Sequence, residues 1–212
     1  MRGMFDGPTS TGLDTWTSPA VCLDLSAVGV GSGASNLALA IMMVCATAFL
    51  DGARQAHARE LRERGGEPPR VIRVNDEAWR ALPVAGLGDY YQAAFKLSRA
   101  TGVQHWMVLH RLSDLDAAGD HGTRQQALAK GLLAEASTVV IYRQAPREAP
   151  VTAELLGLSS TARAEITRLG QGEALWWIQG RLSLVRHLLT PAEWQLIGTD
   201  QAMAIRDPEM SA

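Results

Sequence analysis

The chain has 212 residues, a formal net charge of −2 and 47% hydrophobic side chains. This length suits one α/β domain, with or without a small appendage, and it is sufficient to bury a sizeable core. With 22 acidic against 20 basic residues, no overall positive field would draw the protein to nucleic acid or to an acidic membrane, so any DNA contact would have to be local.

The first part of the chain predicts a strand, a glycine-rich break and a long helix. Residues 20–25 have the pattern of a short buried strand, and glycines follow at 29, 31 and 33. Residues 34–64 are apolar at first and charged later, which predicts a helix that starts in the core and ends in water. Its most apolar part spans roughly fourteen residues, where a bilayer span needs about twenty, so we predict a buried helix and no integral membrane segment.

The cysteines and the N-terminus indicate a cytoplasmic protein. Cys22 and Cys45 lie in apolar surroundings, which predicts buried thiols in a reducing compartment rather than a disulfide or a metal site. The first sixteen residues hold one arginine and no apolar core of signal-peptide length.

A strand over residues 71–75 ends in two adjacent carboxylates, Asp76 and Glu77. Adjacent acids at the end of a strand are how a P-loop NTPase holds the water shell of Mg²⁺ and polarises the attacking water, although such pairs also occur in ordinary loops. The phosphate-cradling sequence Gly-x-x-x-x-Gly-Lys-[Ser/Thr] occurs nowhere in the chain, and no lysine follows the glycines at 29–33. The pattern therefore indicates part of an ATPase without its phosphate loop.

Two polar residues in the same strand, Arg73 and Asn75, share one face because strand side chains alternate. A central strand would be apolar throughout. We therefore expect this face to meet solvent or another subunit.

The next predicted helix covers residues 87–100 and ends at Gly102. Lys96 and Arg99 are three residues apart, so they share a face of it. Either this face is an ordinary solvated surface, or one of the two cations is placed against the γ-phosphate bound to a neighbouring subunit.

Two further strands, residues 105–110 and 138–143, are separated by a helix over residues 123–135. Strands alternating with helices predict a mostly parallel sheet with helices on both faces. In such a sheet Asp76, His110 and Arg143 would lie at one edge, where α/β proteins bind their ligands, with Gln144 beside Arg143. His110 is either a sensor of the γ-phosphate or a structural residue.

Beyond Pro150 the pattern predicts a short helix near Glu154, another helix over residues 160–169, and a hairpin of strands 174–179 and 181–186 turned at Gly180. In the hairpin Trp176 and Trp177 point to opposite faces, one into the core and the other toward an interface, with DNA stacking as a third option. His187 has no second ligand at metal spacing, so no metal site is predicted.

The order and wording of several segments resemble the C-terminal half of the VirB-type and TraC-type ATPases. These proteins energise type IV secretion and conjugative transfer, within the HerA and FtsK branch of RecA-like motors. The most specific segment is Val-Asn-Asp-Glu-Ala-Trp at residues 74–79. The other segments are Met-Phe-Asp-Gly-Pro-Thr at 4–9, Val-Cys-Leu-Asp-Leu-Ser at 21–26, Lys-Leu-Ser-Arg at 96–99, Leu-Ser-Asp-Leu at 112–115 and Leu-Gly-Leu-Ser at 156–159.

The resemblance implies roles for individual residues. Asp76 and Glu77 match the family's Walker B pair, with Asp76 toward Mg²⁺ through water and Glu77 toward the attacking water. Arg99 matches the segment that bears the arginine finger, and His110 stands where the family usually has glutamine. Nucleotide contacts are expected from Asp76 and from the residues Lys96, Arg143 and Gln144.

The family's Walker A loop lies upstream of the region that begins here, which indicates truncation or a decayed gene copy. We therefore expect a partial RecA-like domain, with residues 1–150 as the Walker B half of the core and residues 151–212 as a C-terminal helical segment and hairpin. ATP and Mg²⁺ would bind only together with the missing region.

The resemblance further implies a hexamer, contacts with type IV secretion channel components, and a place in the cytoplasm or at the inner face of the membrane. Two alternatives stay open for the chain itself: an interaction module that docks on a full-length ATPase or a secretion channel, and a RecA-like fold kept only as scaffold.

Overall fold

The computed structural model of the chain describes residues 19–25, 33–76, 78, 86–111 and 124–197. It divides into two units, Met1–Glu135 and Ala136–Ala212, which are described separately below.

The first unit is built around a parallel pair of strands. Its elements in chain order are α1 (Gly33–Glu63), β1 (Val71–Asn75), α2 (Leu87–Thr101), β2 (Val103–Met107) and α3 (Arg124–Glu135). The strands pair in register from Val71 opposite Val103 to Asn75 opposite Met107. The predicted strand 71–75 and the predicted helix 87–100 are confirmed, and α2 ends at Gly102 in the left-handed conformation that glycine tolerates (φ 67°).

The core of the first unit lies on one face of this strand pair. Leu87, Tyr91 and Leu132 are buried there, and they pack with apolar side chains of α1, α2 and β2. On the opposite face, Ile72 and Trp106 are exposed. Among the described elements, helices pack on one face of this strand pair, and the parallel sheet has only two strands.

Three predictions for the N-terminal part are corrected by the structure. Residues 20–25 form neither strand nor helix, and the thiols of Cys22 and Cys45 are free but exposed rather than buried. The long helix α1 is confirmed, yet Leu37, Val44 and Phe49 are exposed along it. By length and composition its segment Leu37–Glu63 could cross a membrane: the best 18-residue window has a mean hydropathy of 1.6, and 11% of it is buried in the chain.

The second unit is an antiparallel sheet covered by two short helices. Its elements are β3 (Thr138–Ile141), α4 (Ala149–Leu156), α5 (Ser160–Ile166), β4 (Glu173–Ile178), β5 (Arg181–Arg186) and α6 (Pro191–Ile197). The strand order is β3-β4-β5. The predicted hairpin is confirmed, and its two turn residues, Gln179 and Gly180, both have positive φ (49° and 85°), as a tight hairpin turn requires.

The prediction of one mostly parallel sheet is wrong for the described strands, because β3 pairs antiparallel with β4. The pairing places Val139 opposite Trp177 and Ile141 opposite Leu175. Ile141 and Leu175 join one core with residues of α4 and α5. These cross-strand contacts and the shared core favour the hairpin as the partner of β3.

Candidate functional site

The carboxyl ends of β1 and β2 lie at the same edge of their sheet, because the strands are parallel. Beyond the strands the two chains stay side by side. The Val108 N–H donates to the Asn75 carbonyl and the Ala78 N–H donates to the Val108 carbonyl, both at 3.0 Å. Asp76 stands between these two hydrogen bonds as an exposed turn residue, followed closely by the fully buried Ala78. The backbone therefore fixes a carboxylate at the edge where α/β proteins bind ligands.

His110 and Glu77 were also predicted at this edge. His110 is exposed and lies three residues beyond the end of β2, so the structure brings it to the same edge as Asp76. Glu77 lies outside the described residues.

Arg143 and Gln144 follow β3 and thus belong to the antiparallel sheet of the second unit. Arg143 is exposed, whereas the Gln144 N–H donates to the Ile166 carbonyl at 2.8 Å and its side chain contacts the Tyr142 carbonyl at 3.3 Å. The expected coincidence of three strand ends at one edge of a single sheet is therefore wrong. Asp76 and His110 share an edge, and Arg143 follows a strand of another sheet.

Lys96 and Arg99 are both exposed on α2. The Lys96 Nζ lies 3.7 Å from the Glu135 carboxylate of α3, and both side chains are well exposed. An exposed pair of this kind contributes about 0–1 kcal/mol, so it restrains Lys96 only weakly.

The polar face of β1 is covered from within the same unit, contrary to the expectation that it meets solvent or another subunit. Arg73 is 12% exposed, and its guanidinium donates to the Asp51 carboxylate of α1 and to the Tyr90 hydroxyl of α2. The Tyr90 hydroxyl in turn donates to the other Asp51 oxygen, and all three contacts are 2.5 Å long. This closed triangle, Arg73–Asp51–Tyr90, joins β1 to both helices.

The contacts within the triangle shift the pKa values of Arg73 and Tyr90. Burial alone would lower the pKa of Arg73, but the hydrogen bond that Arg73 donates to Asp51 and the electrostatic attraction of Asp51 and of the Tyr90 oxygen outweigh it and raise that pKa above its ordinary value. Burial raises the pKa of Tyr90 to about 12, and the hydrogen bond to Asp51 acts in the same direction. Both groups therefore keep their protons, and the positive charge of Arg73 is permanent.

A second polar contact holds the residue just before Asp76. The Tyr91 hydroxyl of α2 donates to the Asn75 side-chain oxygen at 3.0 Å, and the Asn75 amide reaches the Trp106 carbonyl at 3.4 Å. The position of Asp76 is thus linked to α2 through Asn75. Sequence reasoning missed Asp51, Tyr90 and Tyr91, and the signal that could have found them was the pair of polar residues at alternate positions of an apolar strand.

His105 is the neighbour of Arg73 on β2. Burial and the nearby Arg73 charge lower the pKa of His105 to about 4, while Asp51 opposes this shift. The ring of Phe95 stacks on the imidazole with centroids 5.7 Å apart. Among the described residues none hydrogen-bonds to its buried Nδ1.

The described residues do not fit a complete ATP–Mg²⁺ site. The carboxylate of Asp76 is able to accept hydrogen bonds from the water molecules that coordinate Mg²⁺. However, no cluster of three or more His, Cys, Asp or Glu side chains that could hold a metal occurs in the described parts of the chain. The glycine-rich loop with its lysine, which would surround the phosphates, is missing from the sequence.

Comparisons with known proteins find a likeness in fold alone. No family model and no curated protein matches the sequence. The solved structures with a similar fold include a VirB4 protein and a viral genome packaging NTPase.

The first of these is VirB4 of Thermoanaerobacter pseudethanolicus, at 18% identity and a TM-score of 0.52, with 59% of this chain and 33% of that chain covered. The second is the genome packaging NTPase B204 from Sulfolobus turreted icosahedral virus 2 in complex with AMPPCP. It matches at 15% identity and a TM-score of 0.47, with 67% of this chain and 62% of that chain covered. The chain thus spans about a third of the VirB4 structure.

Proposed function

We propose that the chain is the C-terminal portion of a RecA-like ATPase that powers type IV secretion or conjugative DNA transfer. The observation that carries the proposal is the parallel β1–β2 pair with Asp76 fixed at its carboxyl edge. The VirB4-like fold over 59% of the chain supports it. The complete motor would be a cytoplasmic hexamer that contacts the secretion channel at the inner face of the membrane.

In this proposal the residues that match the motifs of the VirB-type and TraC-type ATPases have the same roles as in those proteins. Asp76 holds the water shell of Mg²⁺, Glu77 polarises the attacking water, and Arg99 serves the site of a neighbouring subunit. His110 replaces the family's glutamine as sensor. Nucleotide contacts from Lys96, Arg143 and Gln144 belong to the same proposal.

The 212-residue chain by itself is expected to bind ATP weakly or not at all, because nothing in its sequence supplies the phosphate loop and its lysine. Isothermal titration calorimetry with ATP and Mg²⁺ on the purified chain measures this. Micromolar affinity would contradict the expectation and would show that other residues hold the phosphates.

In a longer form that carries a phosphate loop, Glu77→Gln is expected to lower ATP turnover on the order of 100-fold or more while ATP binding is retained. The amide keeps the shape of the side chain but cannot accept the proton of the attacking water. A matched control is Glu67→Gln, at an exposed position before β1, which should leave turnover unchanged. Near-normal turnover of the Glu77 variant would refute the proposed role.

A second candidate function is a nonenzymatic module that docks on a full-length ATPase or a secretion channel. The observation in its favour is the uncovered apolar face of the β1–β2 pair. Pull-down with intact ATPase subunits separates the two: capture supports docking, and its absence removes the support for this alternative.

A further inference from the structure

The last residue of β1, Asn75, is held by hydrogen bonds from two neighbouring elements. Its side-chain oxygen accepts from the Tyr91 hydroxyl of α2 at 3.0 Å, and its side-chain amide donates to the Trp106 carbonyl of β2 at 3.4 Å. Its main-chain carbonyl accepts from the Val108 N–H at 3.0 Å. These contacts therefore restrain the residue to which Asp76 is directly joined.

Tyr91 is a rigid member of this set of contacts. Its side chain is 2% exposed and packs with Leu87 and Leu132 in the core of the first unit. The ring of Tyr90 meets the ring of Tyr91 edge-on, with centroids 5.2 Å apart and planes at 71°. Close packing on several sides restricts the ring to one orientation, so the hydroxyl at its end is held in one place.

The Tyr91 hydroxyl keeps its proton and donates it to Asn75. Burial raises the pKa of Tyr91 above its ordinary value of 10.0, and the opposing effects of the hydrogen bond with Thr47 of α1 and of the Arg73 charge are smaller. The side-chain oxygen of an asparagine has only acceptor sites, so the hydroxyl is the donor in this contact. Removal of the hydroxyl would leave a partly buried acceptor without its partner.

We propose that Tyr91 is a positioning residue for Asp76 and acts through Asn75. Asp76 lies in a turn that is enclosed by two main-chain hydrogen bonds, both 3.0 Å long. The Val108 N–H donates to the Asn75 carbonyl before the turn, and the Ala78 N–H donates to the Val108 carbonyl after it. One peptide unit, about 3.8 Å from Cα to Cα, joins Asn75 to Asp76, so a displacement of Asn75 displaces the carboxylate as well.

The use of a fixed carboxylate at this place rests on the proposed function, in which Asp76 holds the water shell of Mg²⁺. Small displacements of a group that orients reacting molecules cost large factors in rate, and the residues that orient such a group through hydrogen bonds matter for the same reason. The hydrogen bond from Tyr91 to Asn75 is a property of the chain itself, and its effect on the turn is measurable with no nucleotide or metal added.

The test is amide hydrogen exchange, measured by nuclear magnetic resonance on the 212-residue chain and on its Tyr91→Phe variant. This replacement keeps the packed ring and removes only the hydroxyl. The N–H groups of Val108 and Ala78 are the two reporter groups, and they should exchange about tenfold faster in the variant, because local opening of the turn then breaks one hydrogen bond fewer. The Val71 N–H, which donates to the Gly102 carbonyl at the opposite end of β1, should keep its native rate.

Tyr90→Phe is the matched control. It removes the neighbouring hydroxyl of α2, which contacts Arg73 and Asp51 instead of Asn75. Exchange of the two reporter groups should therefore stay at the native rate in this variant.

A second variant tests whether the effect passes through Asn75. Asn75→Ala should also accelerate exchange of the two reporter groups. The addition of Tyr91→Phe should bring no further acceleration, because both replacements remove the same hydrogen bond. Additive effects of the two replacements would overturn the proposal.

The exchange rates also separate a positioning role from general stability. Native exchange of the reporter groups in the Tyr91 variant would overturn the proposal, and so would equal acceleration at Val71 or in the Tyr90 variant. None of these results depends on ATP turnover. A failure of the positioning role is therefore distinguishable from a failure of the proposed function, which the Glu77 variant tests.

Discussion

Replacement of Asp51 by alanine is expected to lower the free energy of unfolding by about 3–5 kcal/mol, because it leaves the buried guanidinium of Arg73 without its carboxylate. The hydroxyl of Tyr90 loses its acceptor at the same time. Urea denaturation followed by far-ultraviolet circular dichroism measures the change. The signal reports mainly on the first unit, which contains the three longest of the described helices.

The matched control for this experiment lies on the same helix. Glu60 pairs with Arg64 at 2.5 Å, four residues apart, but both side chains are more than half exposed. Glu60→Ala should therefore cost only about 0.3–0.5 kcal/mol. If the Asp51 variant were no less stable than the Glu60 variant, the Arg73–Asp51–Tyr90 triangle would have no stabilising role.

A double replacement distinguishes the effect of removing the whole ion pair from the effect of leaving one buried charge unpaired. Asp51→Leu combined with Arg73→Met removes both buried charges and keeps apolar volume at each position. We expect this variant to recover most of the stability that Asp51→Ala loses. A double variant as unstable as the single one would show that the ionic contact itself, rather than the unpaired guanidinium, decides the outcome.

The sequence predicted elements whose signals are local. The end of α2 at Gly102 and the hairpin turn at Gly180 were both predictable, because a left-handed residue is needed at each place and glycine supplies it. The acidic end of β1 was also visible, since a strand followed by a carboxylate is read directly from neighbouring residues. Its position at a parallel edge is confirmed by the pairing of β1 with β2.

The direction and partner of a strand were not predictable in the same way. Residues 138–141 are apolar and β-branched, and this pattern fits either kind of sheet. Their partner, β4, lies more than thirty residues downstream and pairs with β3 through Trp177 and Leu175. Long-range contacts of this kind, rather than local preference, assigned β3 to the antiparallel sheet of the second unit.

The burial of polar residues in β1 also depends on contacts between residues that are far apart in the sequence. An arginine in a strand predicts exposure when its partners are unknown, and its partner Asp51 lies 22 residues earlier, within an apolar helix. The charged residue in α1, Asp51, and the charged residue in β1, Arg73, form an ion pair within the first unit. Each of them therefore accounts for the burial of the other. The exposed side chains of Ile72 and Val74 lie on the side of β1 away from these contacts.

Acid should weaken the first unit through His105. The pKa of this imidazole is about 4 in the folded chain, against an ordinary value of 6.5, because burial and the Arg73 charge disfavour its protonated form. The folded state thus binds fewer protons than the unfolded state between these two values. The stabilisation is complete above pH 6.5 and is lost as the pH falls toward 4, with a total of about 3 kcal/mol.

The charged groups around His105 make this prediction specific. Arg73 on β1 and Arg54 on α1 both lower its pKa, and Asp51 opposes them. His105→Phe keeps a ring against Phe95 and removes the titrating group, so its stability should change little between pH 6.5 and pH 5, where the native chain loses stability steadily. Urea midpoints measured across this interval provide the comparison.

The slope of stability against pH isolates His105 better than a single value does. Above pH 5 most carboxylates are still ionised, so their titration adds little to the difference between the variants. Equal slopes for the His105 variant and the native chain would mean that the imidazole is protonated as easily in the folded chain as in the unfolded chain. The lowered pKa of His105 would then be disproved.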